Sequence, residues 1–416
     1  LKQDGRWTRT LKPTPKDVDS WGHYAYDASG NPVSKDLLVG PPNTFRWVDG
    51  PFGMNLIGGL RTSDGVAVQI NPAYLVLDKG TKIPPDLEGL RLWARDVNSG
   101  VLLWHRPILP KGARHPYAGT FTETFVAADG RVYVYDFTAD DRIALTAYDL
   151  RTGALERVYD QGVVCRKTDW PGGSEKGADW RKWASDTFAW SMVLAHEGKV
   201  VQMVRDKLFV MDAATGRVLW QKRTGDETHY LKVLVSDGRL VALRANTGAG
   251  DKQGGWATRK ADLVAAEAWR WKDGAPLWRS DLSGLAYPTG AHEVLFHQNF
   301  GAREPYLLLP HTKGLLLLKA EDGSRVWDKP IGVMIGYHII EDRIWLAHVG
   351  TNVFGGVLML ATGDRDPTPR HGGRNQSACD APTATLKWFM GKRNFVPVER
   401  RPDWPHWLSL RCMGKK

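Results

Sequence analysis

With 416 residues, 42% of them apolar and 25% charged, the chain has the make-up of a soluble globular protein, which excludes general disorder. Its formal charge of +10 directs attention to anionic partners such as an acidic polysaccharide, a lipid headgroup surface or nucleic acid. No apolar run reaches the ~18 residues of a membrane-spanning helix, and three cysteines without a CxxC or CxxCH pattern exclude a disulfide-dense scaffold, structural zinc motifs and c-type haem attachment.

The chain opens on Leu-Lys-Gln-Asp-Gly-Arg, with neither an initiator Met nor a signal peptide, and reads as a product whose targeting segment has been removed. Residues 1–44 read as an extended strap that contains Trp21-Gly22-His23-Tyr24 and Asp27-Ala28-Ser29-Gly30-Asn31-Pro32. Residues 45–416 read as one repeat array, with Phe45-Arg46-Trp47-Val48 as the last strand of a unit.

Two series of turns then run through the array. One is Ser63-Asp64-Gly65, Ala128-Asp129-Gly130, His196-Glu197-Gly198, Ser236-Asp237-Gly238 and Glu341-Asp342-Arg343, each followed by alternating apolar residues, as expected of turns that enter strands. The other has Gly100, Gly153, Gly216, Gly274, Gly323 and Gly363, each after an apolar strand and most of them before a second apolar strand that ends in Trp104, Trp220, Trp278 or Trp327. The physics is that of a hairpin: Asp bonds its own backbone, Gly takes the positive φ, and the terminal indole is free to wedge against the next unit. The copy at Asp149–Leu155 has Val158-Tyr159 where the Trp is expected.

Four strands per 40–60 residues is the period of propeller blades. The predicted units lie near 57–108, 121–160, 190–224, 230–283, 290–330 and 334–366, with a closing unit formed from 379–416 and 45–48. The fold class is therefore all-β: a single β-propeller of four-stranded blades, seven in number, with its ring closed by N- and C-terminal strands. Eight is the alternative, because the long segments 161–190 and 244–268 have room for more strands. The turn D-x-x-T/S-G-x-x-L-W resembles the PQQ-like repeat, found in pyrroloquinoline-quinone alcohol dehydrogenases and in the non-catalytic outer-membrane assembly lipoproteins of the BamB type. With its N-terminal motif, the chain is similar to secreted bacterial PQQ-binding-like β-propeller repeat proteins. The resemblance implies a periplasmic or extracellular location. Cys379 and Cys412 both fall in the closing unit and are candidates for a disulfide there, with Cys165 left over.

Candidate binding residues come from segments that break the repeat. Between Cys165 and Trp190, Trp170, Trp180 and Trp183 alternate with basic residues that include Arg181, a pattern suited to stacking on sugar rings and pairing acidic groups, or to pinning down a long loop. Arg370, His371 and Arg374 form a basic connection before the closing unit. Asn246–Trp256 is Gly-rich but lacks a phosphate-loop pattern. The scattered histidines, among them His23, His292, His297, His338 and His348, show no metal-binding spacing.

Quinone enzymes of the family hold PQQ between a Trp and a pair of adjacent cysteines beside Ca²⁺. This chain has no adjacent cysteines, so neither PQQ nor Ca²⁺ is expected and no catalytic or metal-binding residue is assigned. The expected function is that of a non-catalytic scaffold that binds another macromolecule, a protein or larger assembly, through basic, Trp-rich loops. An anionic polysaccharide is a possible partner and nucleic acid is not expected. The alternative is an enzyme with its site at the channel mouth, acting on an acidic polysaccharide with groups such as Tyr337, His338 and Arg303, or, further off, a PQQ-dependent dehydrogenase.

Overall fold

A computed structural model describes residues 2–3, 6–7, 19–35, 60–72, 90–108, 124–137, 142–161, 165–166, 191–246, 260–288, 300–331, 334–348, 354–366, 384–389 and 394–399. Among the described residues every regular element is a strand. The chain is an all-β propeller made of antiparallel up-and-down sheets.

The first sheet runs Leu60–Ser63, Val66–Pro72, Leu90–Asp96 and Leu102–Pro107. The second runs Phe125–Ala128, Arg131–Phe137, Arg142–Asp149 and Leu155–Tyr159, with the short strand Cys165–Arg166 added on Arg142–Asp149. The third runs Ser191–His196, Lys199–Val204, Lys207–Asp212 and Val218–Arg223. The fourth runs Thr228–Ser236, Arg239–Asn246, Lys260–Arg270 and Pro276–Asp281, with Ala286–Pro288 paired to the start of Lys260–Arg270. The fifth runs Gly301–Arg303, Tyr306–His311, Gly314–Lys319 and Arg325–Pro330, and the sixth has Met334–Ile340, Arg343–His348 and Phe354–Met359. A separate hairpin pairs Ala384–Phe389 with Asn394–Glu399. The strand predicted at Phe45–Val48 and the cysteines Cys379 and Cys412 lie outside the described residues.

Strands alternate inward and outward side chains, so one sheet has two apolar faces to bury against its neighbours. The apolar clusters accordingly span adjacent sheets. Val68, Tyr133 and Leu145 belong to a cluster shared by sheets one to three. Val201, Leu208 and Leu240 join three to four, Leu243 and Leu307 join four to five, and Leu317 and Ile344 join five to six.

The six Gly turns share one geometry. In each, the glycine N–H donates to the carbonyl four residues earlier: Gly100 to Asp96 at 2.8 Å, Gly153 to Asp149 at 2.9 Å, Gly216 to Asp212 at 2.8 Å, Gly274 to Arg270 at 2.8 Å, Gly323 to Lys319 at 3.0 Å and Gly363 to Met359 at 2.8 Å. In the first three the opening Asp carboxylate caps the turn; Asp149, for example, accepts from the Thr152 N–H and hydroxyl, both at 2.7 Å. These bonds hold the Asp149 carboxyl below its ordinary range. Where the opening acid becomes Arg270 or Lys319, the cap shifts to Asp273 and Asp322, which accept from the N–H of Ala275 and Ser324 at 3.0 and 2.9 Å.

These turns receive the tryptophans. The indole N–H of Trp104 donates to Leu150 O (3.0 Å), that of Trp220 to Trp271 O (3.3 Å), that of Trp278 to Ala320 O (2.9 Å) and that of Trp327 to Leu360 O (2.8 Å), each on the next sheet. Tyr159, in the copy that lacks Trp, makes the equivalent bond from its hydroxyl to Ala213 O at 2.8 Å. Six sheets are thus joined by five like contacts. Glycine is needed at the receiving turn because the indole lies against it: a Cβ at Gly274 would meet Trp220 at 2.6 Å.

Two glycines of the fourth sheet separate backbone strain from indole contact. Gly238 and Gly274 have φ values of +68° and +73°, but a Cβ at Gly238 meets nothing within 4 Å. Gly238→Ala is expected to cost only the left-handed backbone strain, about 1–2 kcal/mol. Gly274→Ala should cost about 2 kcal/mol more because Trp220 must move. Equal midpoint shifts in urea unfolding would show that the indole contact does not stabilise the sheet junction.

Candidate functional site

Each sheet ends on one side in its first strand, and first strands of successive sheets pack against one another around the propeller axis. Their axial edges have no partner strand, so their outward N–H groups need acceptors. Residues 21–31 supply them. Thr62 N–H donates to Trp21 O (2.8 Å), Ala127 N–H to Gly22 O (2.9 Å), Val235 N–H to Ala28 O (2.8 Å) and Ala302 N–H to Ser29 O (2.8 Å). Ala195 N–H donates to the imidazole Nε2 of His23 at 3.1 Å, and Ile339 N–H to Asn31 Oδ1 at 3.1 Å. Asn31 Nδ2 returns a bond to Ile339 O at 2.9 Å.

The six receiving residues are equivalent. Thr62, Ala127, Ala195, Val235, Ala302 and Ile339 each stand two positions before an acidic residue: Asp64, Asp129, Glu197, Asp237, Glu304 and Glu341. The segment meets sheets one to six in chain order, and its ends join. Asp19 accepts from the Ser34 hydroxyl at 3.0 Å and from the Lys35 N–H at 2.6 Å. The result is a closed loop seated in the axis, an Ω-type arrangement.

The local sequence permits this path. The carbonyls of Ala127 and Phe300 lie only 2.3 and 2.4 Å from where a Cβ would stand on Gly22 and Gly30, so glycine alone fits at both positions. Asp27 Oδ1 accepts from the Ser29 N–H and hydroxyl at 2.9 and 2.5 Å and bends the chain between them. Trp21 packs edge-on to Tyr26 with ring centroids 5.5 Å apart. Ala25, Tyr26, Ala28 and Val33 are buried, and a cavity of about 20 Å³ beside them, lined in part by Tyr24, Met192 and Lys232, has room for about one water.

His23 accepts through Nε2, so its proton sits on Nδ1 and the ring is neutral. Burial, countered in part by Asp27 and reinforced by the Arg61 and His196 charges, lowers its pKa to about 4. Arg61 is itself buried, with its guanidinium 4.3 Å from the Phe125 ring centroid and 5.6 Å from that of Tyr24. Tyr337, considered above as a base at the channel mouth, is fully buried and donates its hydroxyl to Leu308 O at 3.2 Å; burial pushes its pKa far up, which removes it from base chemistry near neutral pH. His338 is also buried. Among the described residues no group of three or more His, Cys, Asp or Glu side chains is placed to hold a metal ion.

The repeat tryptophans Trp104, Trp220, Trp278 and Trp327 are the sheet-to-sheet contacts described above. The candidate binding residues Trp170, Trp180, Arg181, Trp183, Arg370, His371 and Arg374 lie outside the described residues, as do His292 and His297. The topology still fixes where the flanking strands end. In an up-and-down sheet, the first and third turns lie at one face, and the second turn and the links between sheets lie at the other. The described strand ends on either side of 73–89, 109–123, 167–190, 247–259 and 289–299 all meet this second face. The axial loop bonds near the first turns, at the opposite face. Sequence reasoning placed His23 within a motif but not its role. The signal available was Gly22 and Gly30 bracketing an Asp-x-Ser turn and followed by Asn31.

Residues 160–332 match the family model described as outer membrane protein assembly factor BamB. Among solved structures, BamB from Moraxella catarrhalis is similar at a TM-score of 0.45 and 14% identity, with 77% of this chain and 78% of that chain covered. A quinohemoprotein alcohol dehydrogenase from Pseudomonas putida HK5 is similar at 0.41 and 12% identity, covering 81% of this chain and 61% of that chain. The propeller of Dos1 follows at 0.36 and 10%, with 63% and 61% covered. No curated protein matches the sequence.

Because His23 is held neutral, the native state binds fewer protons than the unfolded state between pH 6.5 and about 4, and stability falls as the pH drops through that window. At pH 5 the loss relative to pH 7.5 is about 2 kcal/mol from this residue. His23→Gln keeps an acceptor without the titration. Its urea midpoint should vary less between pH 7.5 and 5 than that of the wild type, and equal slopes would place the pH dependence elsewhere.

Proposed function

We propose, from the premise that residues 160–332 of this chain carry the PQQ-like β-propeller repeat, that the protein is a non-catalytic scaffold that binds another macromolecule, a protein partner first, through the face away from the axial loop. The observation that carries this reading is the division of the two faces. One holds the short, hydrogen-bonded turns and the axial loop, whose 21–31 segment bonds all six sheets. At the other lie the strand ends that flank 73–89, 109–123, 167–190, 247–259 and 289–299, and the sequence of 167–190 contains Trp170, Trp180, Arg181 and Trp183. Aromatic and Arg side chains on connections held by a rigid frame are the usual anchors of a binding surface. The sequence between 366 and 384, with Arg370, His371 and Arg374, adds positive charge for an acidic partner.

The same reading holds that the protein works without PQQ or Ca²⁺. Adjacent cysteines are absent from the whole sequence, and at the axis the chain's own loop bonds all six first strands beside a cavity of about 20 Å³. A quinone of several rings does not fit there. The axial filling also weighs against a channel-mouth enzyme on that side. No helix among the described residues is long and apolar enough to cross a membrane. We place the protein in the periplasm or outside the cell, where a Cys379–Cys412 disulfide would form in the closing unit, and we take the ring to have seven blades.

A photocrosslinking residue at position 180 is expected to give a discrete adduct in the native extracellular or periplasmic fraction. The same residue at position 98, in a turn of the opposite face, should give none. Replacing Trp170, Trp180 and Trp183 together by Ala should abolish the adduct with the melting temperature unchanged. An adduct only from position 98, or a collapse in melting temperature with the triple change, would overturn the assignment of the binding face. A saturable, stabilising response to PQQ with Ca²⁺ would overturn the cofactor reading, since a specific ligand raises the melting temperature by mass action.

A further inference from the structure

A cavity of about 280 Å³ lies off the axis, between the fourth and fifth sheets. It has the volume of about nine waters, at the lower limit for small-molecule sites and suited to one sugar ring. Lys260, Asp262, Asn246, Ser283 and Lys313 bring polar groups to it, over an apolar floor that includes Leu263 and Leu285.

The turn that carries Lys313 is fixed from several sides. His311 is buried, with Nε2 3.0 Å from Asp328 Oδ1 and Nδ1 3.3 Å from the Lys313 N–H, so Nδ1 accepts and Nε2–H donates. Thr312 N–H donates to Ala286 O at 2.8 Å, and Lys313 O accepts from Ile331 N–H at 3.1 Å. These contacts of the histidine position the turn. Across the cleft, the short ladder that pairs Lys260 with Pro288 and Asp262 with Ala286 holds the other wall.

The charges are asymmetric. Lys260 lies 3.8 Å from Asp262, too far for a hydrogen bond. Lys313 has no carboxylate within salt-bridge distance among the described residues. Two ammonium groups thus face one carboxylate, leaving one net positive charge. A phosphate or sulfate dianion would meet Asp262 as a like charge. A monoanion bearing hydroxyls uses every group: its carboxylate pairs with the lysines, and its hydroxyls donate to Asp262 and to the side-chain oxygens of Asn246 and Ser283.

We propose that this cleft binds a hexuronate, free or as the terminal unit of an acidic glycan. The site lies at the same face as the strand ends that flank 247–259 and 289–299, but its ligand chemistry does not depend on which macromolecule that face holds. Binding is by ion pairing and hydrogen bonding alone, and no bond in the ligand is broken.

The test is calorimetric titration of the full chain at low ionic strength with D-galacturonate, D-galactose, inorganic phosphate and a galacturonate trimer. Galacturonate should bind at one saturable site with a dissociation constant of ~1 mM or below, while galactose gives no heat. Lys313→Gln and Lys260→Gln should each weaken galacturonate at least ~10-fold. Asp262→Asn should weaken galacturonate and strengthen phosphate. All three side chains are at the surface of the cleft, and unchanged melting temperatures will show that the variants fold. Trimer binding as tight as the monomer identifies the glycan end as the source; exclusion of the trimer identifies the free acid. Phosphate binding as tight as galacturonate, no saturable heat with galacturonate, or affinity indifferent to both lysine changes would overturn the proposal.

Discussion

The structure depends on how the open edges of six first strands are satisfied. A propeller hides its outer strands at the circumference, where water completes their hydrogen bonds, but its axial edges converge where little water remains. An unmet N–H there costs about 1–3 kcal/mol. Here one short segment answers six such groups, four by backbone carbonyls and two by the side chains of His23 and Asn31. Side chains take over where the spacing of the segment no longer brings a carbonyl to the next edge. The two glycines are the places where the backbones come closest.

A second, peripheral system works in parallel. Each terminal aromatic donates one hydrogen bond to the following sheet, and the four indoles also cover a bare glycine turn. Tyr159 shows that the geometry is conserved in function when the residue changes: a phenol reaches Ala213 O as the indoles reach their carbonyls. The axial loop and the peripheral aromatics constrain each sheet at both radii. Rigidity of this kind leaves the long connections as the part of the molecule able to vary without cost to the core.

The turns were legible in the sequence because they are local, and the tryptophans because they recur at one place after each turn. Asp149, Thr152 and Gly153 lie within five residues and carry their own hydrogen-bonding logic, and the apolar runs between such turns alternate as strands do. The axial loop was only half legible. Gly22, Gly30 and Asn31 stand out as residue types, but their partners are reached through backbone groups of Ala127, Phe300 and Ile339, and a backbone acceptor leaves no mark on the identity of the residue that offers it. The Lys260–Lys313 cleft was not legible for a related reason: Lys313 stands two positions after a histidine in an ordinary turn, and only the pairing of Ala286–Pro288 with Lys260–Arg270 brings that turn opposite Lys260 and Asp262.

The order in which the axial loop meets the sheets bears on how the chain reaches its native state. Asn31 bonds Ile339 across 308 positions of sequence. The loop is made early in synthesis, yet its last partner strand is among the latest to appear. Closing so long a stretch of chain carries an entropy loss that local hairpins avoid. Sheets one to five can therefore form from hairpins and neighbour contacts as they emerge, while the loop holds only part of its bonds. Full seating waits for the sixth sheet, and a nascent propeller without it would be left with a central segment incompletely tethered and open to a chaperone or a protease.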